Sequence, residues 1–353
     1  MPPPVRALPR LLQLSVAAVL TACAAAAPPP GGDDGASLVY RGSVDLPEAP
    51  DELSGITHVE GSRYLAVANT GNRLATLRVE TDDSGATTAA SVEKVDRLPG
   101  PVRDYEGIAW AKARGSIFLS EETQTLVHEF TLAPLAEAQG SRPTRPTAFD
   151  HARPNRRLES LTLSPDGGTL YTANEEALAL DGPTATPLGG TTVRIVRFTV
   201  AGDAPGAGVA EAAQFRYDVG KVPGSHVVNP VVPAIAGLSD LVALPDGRLL
   251  ALERSLRMAP PMLPAFQARV YLVDLAGATP LPDPALPVTH ATNTGTPPLR
   301  KTLLWAGPVV NLEGLALGPA TPTGYTLLGV SDSQGRRVGP VLHSFHLVLP
   351  APR

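Results

Sequence analysis

The stretch "RDYEGIAW" (103–110) places three charged residues directly before an apolar segment that is typical of a buried β-strand. Related stretches recur along the chain, and the complete set is "ELSGITHV" (52–59), "RDYEGIAW" (103–110), "RLESLTLS" (157–164), "GLSDLVAL" (237–244) and "NLEGLALG" (311–318). Aligned on their aliphatic residues, they give a first column of Ser54, Glu106, Glu159, Ser239 and Glu313. The second column is Gly55, Gly107, Ser160, Asp240 and Gly314. Such recurrence indicates a fold built from copies of one supersecondary unit.

Each stretch continues into the same succession of strands and turns. In the third and fourth units two apolar segments flank a Pro-Asp-Gly turn, as in "LTLSPDGGTLYTANE" (161–175) and "LVALPDGRLLALER" (241–254). Proline presets φ at the turn, and glycine allows a positive φ. A third, alternating segment follows every hairpin, and a fourth follows most of them. Four antiparallel strands per repeat predict an all-β fold, a β-propeller.

The five repeats predict five blades. A sixth blade fits if a divergent repeat lies within 176–236 or 256–306, and an array of β-sandwiches is the alternative architecture. The last repeat has three strands, while an extra strand precedes the first repeat at 36–46. We therefore expect this N-terminal strand to pair with the last blade and close the ring, which removes exposed sheet edges. The weak fourth strand of the second repeat is placed at 146–152.

Composition supports a large core and excludes one class of partner. Hydrophobic residues make up 43% of the chain, and the 38 prolines and 33 glycines suit many turns. The net charge is -5, and the sequence has no basic stripe of the kind that nucleic-acid binding requires. We expect a monomer with no nucleic-acid partner.

The first residues read as a targeting signal. Arg6 and Arg10 precede an apolar segment at 11–20 that is too short to span a membrane. It ends in Leu20-Thr21-Ala22-Cys23, which resembles a bacterial lipobox. The resemblance implies a signal peptide at 1–22, a lipid on Cys23, a flexible tether at 23–37 and the propeller domain at 38–353. The expected location is the cell envelope, at the outer membrane of a diderm cell; with an ordinary signal peptide the protein is periplasmic or secreted.

Acidic residues are predicted to meet at one end of the propeller channel. The start of the first strand and the end of the second share one face of a blade, and both carry polar residues in most repeats. The predicted ring is Glu106, Glu159, Glu313, Glu122, Glu175, Glu253 and Asp332, with Asp104 and Asp240 close by. Converging carboxylates raise one another's pKa, and Ca²⁺ relieves this because it takes six to eight oxygen ligands. The candidate metal ligands are Asp104, Glu106, Glu159, Glu253, Glu313 and Asp332. The alternative is that these acids cap strands and pair with Arg103, Arg153, Arg157 and Arg254.

Four of these motifs together resemble the phytase-like domain family, bacterial proteins described by an esterase-like activity of phytase. They are "RDYEGIAW", the R-x-N-x-x-x-E of 153–159, "LLALER" (249–254) and "NLEGLAL" (311–317). The resemblance covers about 45–349 and implies a secreted or envelope-bound propeller that hydrolyses phosphoesters or esters. The sequence departs from the family pattern in two ways. Ser54 and Ser239 stand where the other repeats carry Glu. The repeats predict five blades, whereas β-propeller phytases have six. By position it marks Arg103, Asp104, Glu106, Arg153, Asn155, Glu159, Glu253, Arg254, Asn311 and Glu313.

These observations lead to one functional hypothesis and two alternatives. The hypothesis is a Ca²⁺-assisted hydrolase of a small anionic substrate. Its catalytic residues would be Glu106, Glu159, Arg103, Arg153 and Arg254, with Asn155, Asn311 and Arg254 binding the substrate. No G-x-S-x-G nucleophile motif with a matching His and acid is present. The alternatives are a non-catalytic propeller that binds a ligand or partner, and a lactonase-type metal-dependent propeller using Asn69, Asn174 or Asn311.

Overall fold

A computed structural model of the chain describes residues 35–223, 234–259, 263–333 and 339–350. Cys23, the predicted signal peptide and most of the predicted tether lie outside the described residues. Within the described ranges, no helix has the length and apolar character needed to cross a membrane.

The described residues form five four-stranded antiparallel sheets. Blade 1 contains β2 (Leu53–Glu60), β3 (Arg63–Ala68), β4 (Arg73–Thr81) and β5 (Thr87–Arg97). Blade 2 contains β6 (Tyr105–Ala111), β7 (Ser116–Glu121), β8 (Leu126–Leu132) and β9 (Leu135–Glu137). Blade 3 contains β10 (Leu158–Leu163), β11 (Thr169–Asn174), β12 (Thr191–Val200) and β13 (Val209–Val219). Blade 4 contains β14 (Ile235–Ala243), β15 (Leu249–Ala259), β16 (Leu263–Asp274) and β17 (Arg300–Gly307). Blade 5 contains β18 (Leu312–Thr321), β19 (Gly324–Ser331), β20 (Val341–Val348) and β1 (Ser37–Asp45).

The predicted five-bladed propeller is confirmed. The first strands of the blades contact one another in the order β2, β6, β10, β14, β18 and back to β2, so they surround a central channel. Strand β1 pairs with β20 from Ser37↔Val348 to Asp45↔Val341, which confirms closure by the N-terminal strand. The chain therefore enters and leaves the ring in the same blade. The six-bladed and sandwich alternatives are wrong.

The predicted fourth strand of blade 2 at 146–152 is wrong. The edge of β8 is taken immediately by β9, which pairs from Phe130↔Glu137 to Leu132↔Leu135. Residues Phe149–His151 form a short 3₁₀ helix instead. Phe149 is buried among apolar side chains of blades 2 and 3, so burial and not strand pairing fixes this segment.

The hydrophobic core is divided into five clusters, one at each junction between neighbouring blades. The junction of blades 1 and 2, for example, buries Leu65 and Val67 against Tyr105, Ile108 and Leu119. Burying this apolar surface is the main stabilising contribution to each junction. The blades are thus held by face-to-face packing, and the channel itself is left for other groups.

Every channel-lining strand is interrupted at the first column. The pairing register shifts between Leu53 and Gly55, Tyr105 and Ile108, Leu158 and Ser160, Leu238 and Asp240, and Leu312 and Gly314. Such a β-bulge leaves an extra residue unpaired and changes the direction of its side chain. The five residues of the first column therefore occupy the bulge of their blade.

The second column lies where neighbouring channel strands touch through their backbones. A Cβ added to Gly107 would lie 2.4 Å from the Leu161 nitrogen, and one added to Gly55 would lie 2.4 Å from the Glu106 carbonyl oxygen. Glycine is required at these positions because no side chain fits between the strands. At Asp240 the column is instead used to join blades, because its carboxylate accepts hydrogen bonds from Leu241 N at 2.8 Å and Leu315 N at 2.7 Å.

Substitution of Gly107 by Ala tests this close approach. Because the new methyl group overlaps the backbone of blade 3, we expect Gly107→Ala to lower the free energy of unfolding by about 2 kcal/mol or more in urea denaturation. Gly168→Ala is the matched control, since its Cβ would lie 3.6 Å from the nearest atom, Asp166 Oδ1. The control should change stability by less than about 0.5 kcal/mol. Equal effects of the two substitutions would contradict the close approach.

Candidate functional site

The ends of the second strands form an outer ring around the first column at one mouth of the channel. In four blades the residue after the second strand donates its backbone N–H to the residue that precedes the first strand. These bonds are Asn69 N to Glu52 O at 3.1 Å, Glu122 N to Asp104 O at 2.8 Å, Glu175 N to Arg157 O at 2.9 Å and Asp332 N to Asn311 O at 3.3 Å. In blade 4 the corresponding pairing is Arg254 with Gly237. The outer ring is thus Asn69, Glu122, Glu175, Arg254 and Asp332.

Three carboxylic acids of blade 2 converge at this mouth. Asp104, Glu106 and Glu122 each offer an oxygen atom, and these atoms lie within 4.8 Å of one another. Glu106 and Glu122 are 8% and 6% exposed. Burial and the neighbouring acids raise the pKa of Glu106 well above its usual value. Burial also raises the pKa of Glu122 to about 7.

Among the described residues, no basic side chain pairs with the acidic cluster of Asp104, Glu106 and Glu122. Across the described part of the chain, no Arg, Lys or His forms an ion pair with any of its three members. Glu122 accepts a hydrogen bond from the backbone N–H of Arg157 at 3.1 Å, which supplies a dipole but no full charge. Burial without a paired cation makes the ionised form of the cluster unfavourable, and a bound cation would relieve this.

The opposite side of the mouth is neutralised by arginines. Arg254 donates from Nη2 to Glu175 at 2.9 Å and from Nη1 to Asn311 Oδ1 at 2.8 Å, and it also pairs with Glu313. Arg156 pairs with Glu175 at 2.9 Å. Burial raises the pKa of Glu313 to about 7, and Arg254 opposes this rise. We call this group, together with the 170 Å³ cavity that Arg156, Glu175, Arg254 and Asn311 help to line, the arginine side.

Glu159 stands between the two halves of the mouth. It is 9% exposed, and burial raises its pKa well above the usual value. Glu175, Glu122 and Glu313 add to this rise, while Arg254 opposes it. Its carboxyl group is therefore within electrostatic reach of Glu122 in the acidic cluster and of Arg254 on the arginine side.

Asp240, in the second column, is also buried. Burial raises its pKa to about 8, although backbone N–H groups of Leu315, Leu241 and Leu161 oppose the rise. A larger cavity of 740 Å³ lies at the other end of the channel, lined by Ile56, Ile108, Leu161 and Leu315 among others. Asp166 is the one acid among its described lining residues.

The structure brings most of the predicted site residues together. Of the predicted set, those at the mouth are Asp104, Glu106, Glu159, Arg254, Asn311, Glu313 and Asp332. Asn311 lies at the edge of the arginine side, with its Nδ2 3.4 Å from Asp332 Oδ2. Glu122 and Glu175, which the sequence predicts in the ring because they follow second strands, also lie at the mouth.

Glu253 lies away from the mouth. It is fully buried and accepts hydrogen bonds from Tyr217 Oη at 2.9 Å and from Gly220 N at 3.2 Å, and it pairs with Lys301. Successive residues of a strand face opposite sides, so Arg254 faces the mouth and its neighbour Glu253 faces blade 3. Its contacts tie blade 4 to blade 3.

Three other predicted residues are also placed elsewhere. Arg103 donates from Nη1 to Tyr105 Oη at 3.0 Å. Arg153 donates to the carbonyl oxygens of Ala177 at 3.1 Å and Gly182 at 2.8 Å, so it holds a loop. Asn155 is exposed and adopts a left-handed backbone conformation with φ 55. The sequence prediction missed Arg156, because nothing in "RPNRR" (153–157) distinguishes the arginine that turns toward the mouth.

Comparison with known proteins gives one family and several distant folds. A profile of the phytase-like family, described as "esterase-like activity of phytase", matches residues 51–334. A search of curated proteins finds no match. Among solved structures, the PQQ-bound aldose sugar dehydrogenase of Streptomyces coelicolor is 13% identical, with 91% of this chain and 100% of that chain covered and a TM-score of 0.44. The periplasmic gluconolactonase of Pseudomonas aeruginosa is 16% identical, with 83% and 72% covered and a TM-score of 0.34. Virginiamycin B lyase of Staphylococcus aureus is 9% identical, with 89% and 100% covered and a TM-score of 0.36.

The raised carboxyl pKa values predict how stability depends on pH. Glu122 and Glu313 titrate near pH 7 when folded and near about 4.3 when unfolded. Between these values the folded state holds more protons, so the free energy of unfolding in the presence of a chelator should fall as the pH rises from about 4.3 to about 7. Thermal melting in EDTA from pH 4.5 to 8 measures this. Glu106→Gln should flatten the slope, while Glu93→Gln on an outer strand should not. A melting temperature that rises across this range would contradict the assignment.

Removal of Arg254 should show how strongly the buried acids around it destabilise the fold when they lack a paired cation. Arg254→Leu leaves Glu175 and Glu313 without their shared cation, so we expect a loss of about 3 kcal/mol in the free energy of unfolding at pH 8. The loss should shrink at pH 5, where the Glu313 carboxyl group, whose pKa is raised to about 7, is protonated. Arg78→Leu is the control, because Arg78 forms a surface pair with Glu80 and such pairs contribute about 1 kcal/mol or less. A pH-independent loss would contradict the role given to Arg254.

Proposed function

The chain belongs to the phytase-like family, and from that premise we propose that it is a divalent-cation-assisted hydrolase of phosphoesters or carboxylic esters that acts at the acidic mouth of the propeller. The observation that carries the proposal is the division of this mouth. Uncompensated carboxylic acids lie on one side, and fixed arginines lie on the other, with Glu159 between them.

The residues of the acidic cluster fit a hard divalent cation. Asp104, Glu106 and Glu122 offer only oxygen atoms, which lie within 4.8 Å of one another. Oxygen ligands suit Ca²⁺ and Mg²⁺, whereas Zn²⁺ and copper sites usually include His or Cys. In the described chain no His contacts the cluster. Ca²⁺ is therefore the cofactor that we propose.

The surrounding residues would bind and orient the substrate. When bound, the cation neutralises negative charge on the substrate and polarises the bond to be cleaved. Arg254 is held by Glu175 and Glu313, so its guanidinium is fixed in one orientation beside the cavity of the arginine side. A fixed cationic group stabilises charge that develops in the transition state without reorganising. Glu159, placed between that arginine and the acidic cluster, is the candidate to accept a proton from the attacking water once a bound cation stabilises its ionised form.

The charge of the mouth limits the class of substrate. Among the described residues of the mouth, the acids outnumber the two arginines, Arg156 and Arg254, so we expect a cation to bind before an anion does. We propose a small anionic substrate whose phosphate or carboxyl group binds together with Ca²⁺. We also propose that the protein acts in the cell envelope, anchored through a lipid on Cys23.

Hydrolysis of a panel of phosphoesters and carboxylic esters tests this function. With added Ca²⁺ we expect turnover that EDTA abolishes. Glu159→Gln should lower kcat by about 100-fold or more, the usual contribution of a general base, with little change in Ca²⁺ affinity. Glu106→Gln should instead weaken Ca²⁺ binding.

Glu93→Gln, which changes an outer-strand acid of blade 1, is the control and should retain full activity. The proposal is refuted if no substrate in the panel is turned over with Ca²⁺. It is equally refuted if turnover survives both Glu106→Gln and Glu159→Gln, since the activity would then arise at another site.

A further inference from the structure

Buried oxygen atoms that lack a hydrogen-bond partner are concentrated near the mouth. Among the described residues, four buried side-chain oxygens have none, and they belong to Asn69, Thr87, Ser160 and Ser239. Ser160 and Ser239 lie in the two columns, and Asn69 lies in the outer ring. A buried polar atom without a partner costs free energy, so each such atom in a folded protein requires an explanation. An external ligand at the mouth would give Asn69 Oδ1 the partner that it lacks.

Asn69 holds the position in blade 1 that Glu122 holds in blade 2. Both side chains follow the second strand of their blade, and both backbone N–H groups bond to the residue before the first strand, Glu52 O at 3.1 Å for Asn69 and Asp104 O at 2.8 Å for Glu122. The two positions are therefore equivalent in neighbouring blades, and Asn69 supplies an amide where Glu122 supplies a carboxylate.

The mouth end of blade 1 lies directly against the acidic cluster. Ser54 Oγ donates to the Tyr105 carbonyl oxygen at 2.9 Å, within the segment that carries Asp104 and Glu106. Glu52, which is bonded to Asn69 through the backbone, is close enough to Asp104 to act on it electrostatically. Strand β3, which Asn69 directly follows, also contacts β6, so the junction of blades 1 and 2 places Asn69 on the blade 1 side of the cluster.

The amide oxygens of three other asparagines near the channel already accept hydrogen bonds within the protein. Asn174 Oδ1 accepts a hydrogen bond from Arg194 N at 2.9 Å, and Asn311 Oδ1 accepts one from Arg254 Nη1 at 2.8 Å. Asn72 Oδ1 accepts one from Arg103 N at 2.8 Å. Asn69 Oδ1 alone among these four amide oxygens is buried with no donor in the described chain.

Resting on the function proposed above, we propose that Asn69 Oδ1 is a further ligand of the cation held by Asp104, Glu106 and Glu122, and that the site is selective for Ca²⁺ over Mg²⁺. Ca²⁺ accepts six to eight oxygen ligands, including amide carbonyls, in a flexible arrangement. Mg²⁺ usually binds through one or two carboxylates and keeps several waters. A neutral fourth oxygen from another blade therefore favours Ca²⁺.

Terbium luminescence and calorimetry on the full chain test this ligand. Tb³⁺ serves as a Ca²⁺ analogue, and its lifetimes in H₂O and D₂O count the waters bound to the ion. Asn69→Leu should add one bound water and weaken Ca²⁺ binding by about 10-fold to 100-fold, as expected when a polar partner of a charged group is removed. Its effect on Mg²⁺ binding should be smaller. Asn69→Asp should retain the wild-type number of waters and bind Ca²⁺ at least as tightly.

Thr70→Ala, which removes the hydroxyl of the adjacent exposed residue, is the control and should bind Ca²⁺ as the wild type does. Melting in EDTA checks that each variant is folded. If Asn69→Leu does not fold, Asn69→Asp decides, because loss of Ca²⁺ binding in that variant overturns the inference. Wild-type affinity and hydration in Asn69→Leu, with binding lost in Glu106→Gln, overturn the role of Asn69 and leave the acidic cluster intact. Absence of Ca²⁺ and Tb³⁺ binding by the wild type overturns both.

Discussion

The approach of neighbouring channel strands through their backbones is the constraint on which the rest of the structure depends. At Gly55, Gly107 and Gly314 the neighbouring strand leaves no room for a side chain. The bulge beside each of them directs the first-column residue out of the regular pleat. Five packed blade junctions and a narrow channel therefore present the first column at one mouth. The backbone therefore holds acids in this column close to one another, whether or not they are ionised.

The distribution of positive charge decides what such a mouth can do. Arg254 and Arg156 are both engaged with Glu175, and Arg254 also with Glu313. Their positive charge is therefore balanced by the acids of one half of the mouth. Asp104, Glu106 and Glu122 receive none of it, and their burial makes an uncompensated charge expensive. A bound cation removes that cost, and it also gives an anionic substrate a place to bind. The same imbalance thus links the stability of the mouth to its proposed chemistry.

Sequence reasoning recovered the repeat, the closure and the mouth, because these depend on periodic features. The position of the first column and the ends of the second strands can be read directly from the alignment of the five related stretches. What it missed depends on single side-chain directions. Glu253 and Arg254 were both assigned to the mouth, but strand alternation leaves only Arg254 there. Among Arg153, Arg156 and Arg157, only the course of the turn before β10 determines which guanidinium reaches Glu175. The short strand β9 was missed because its three residues carry no periodic signal.

A crystal structure of the protein grown with Ca²⁺ or Tb³⁺, with the ion located by anomalous scattering, is the most direct test of the central claim. The account predicts an ion at the mouth whose distances to oxygen atoms of Asp104, Glu106 and Glu122 are about 2.3–2.6 Å for Ca²⁺. An ion bound only elsewhere would contradict it. So would an arginine or lysine side chain that occupies the acidic cluster in the absence of any ion.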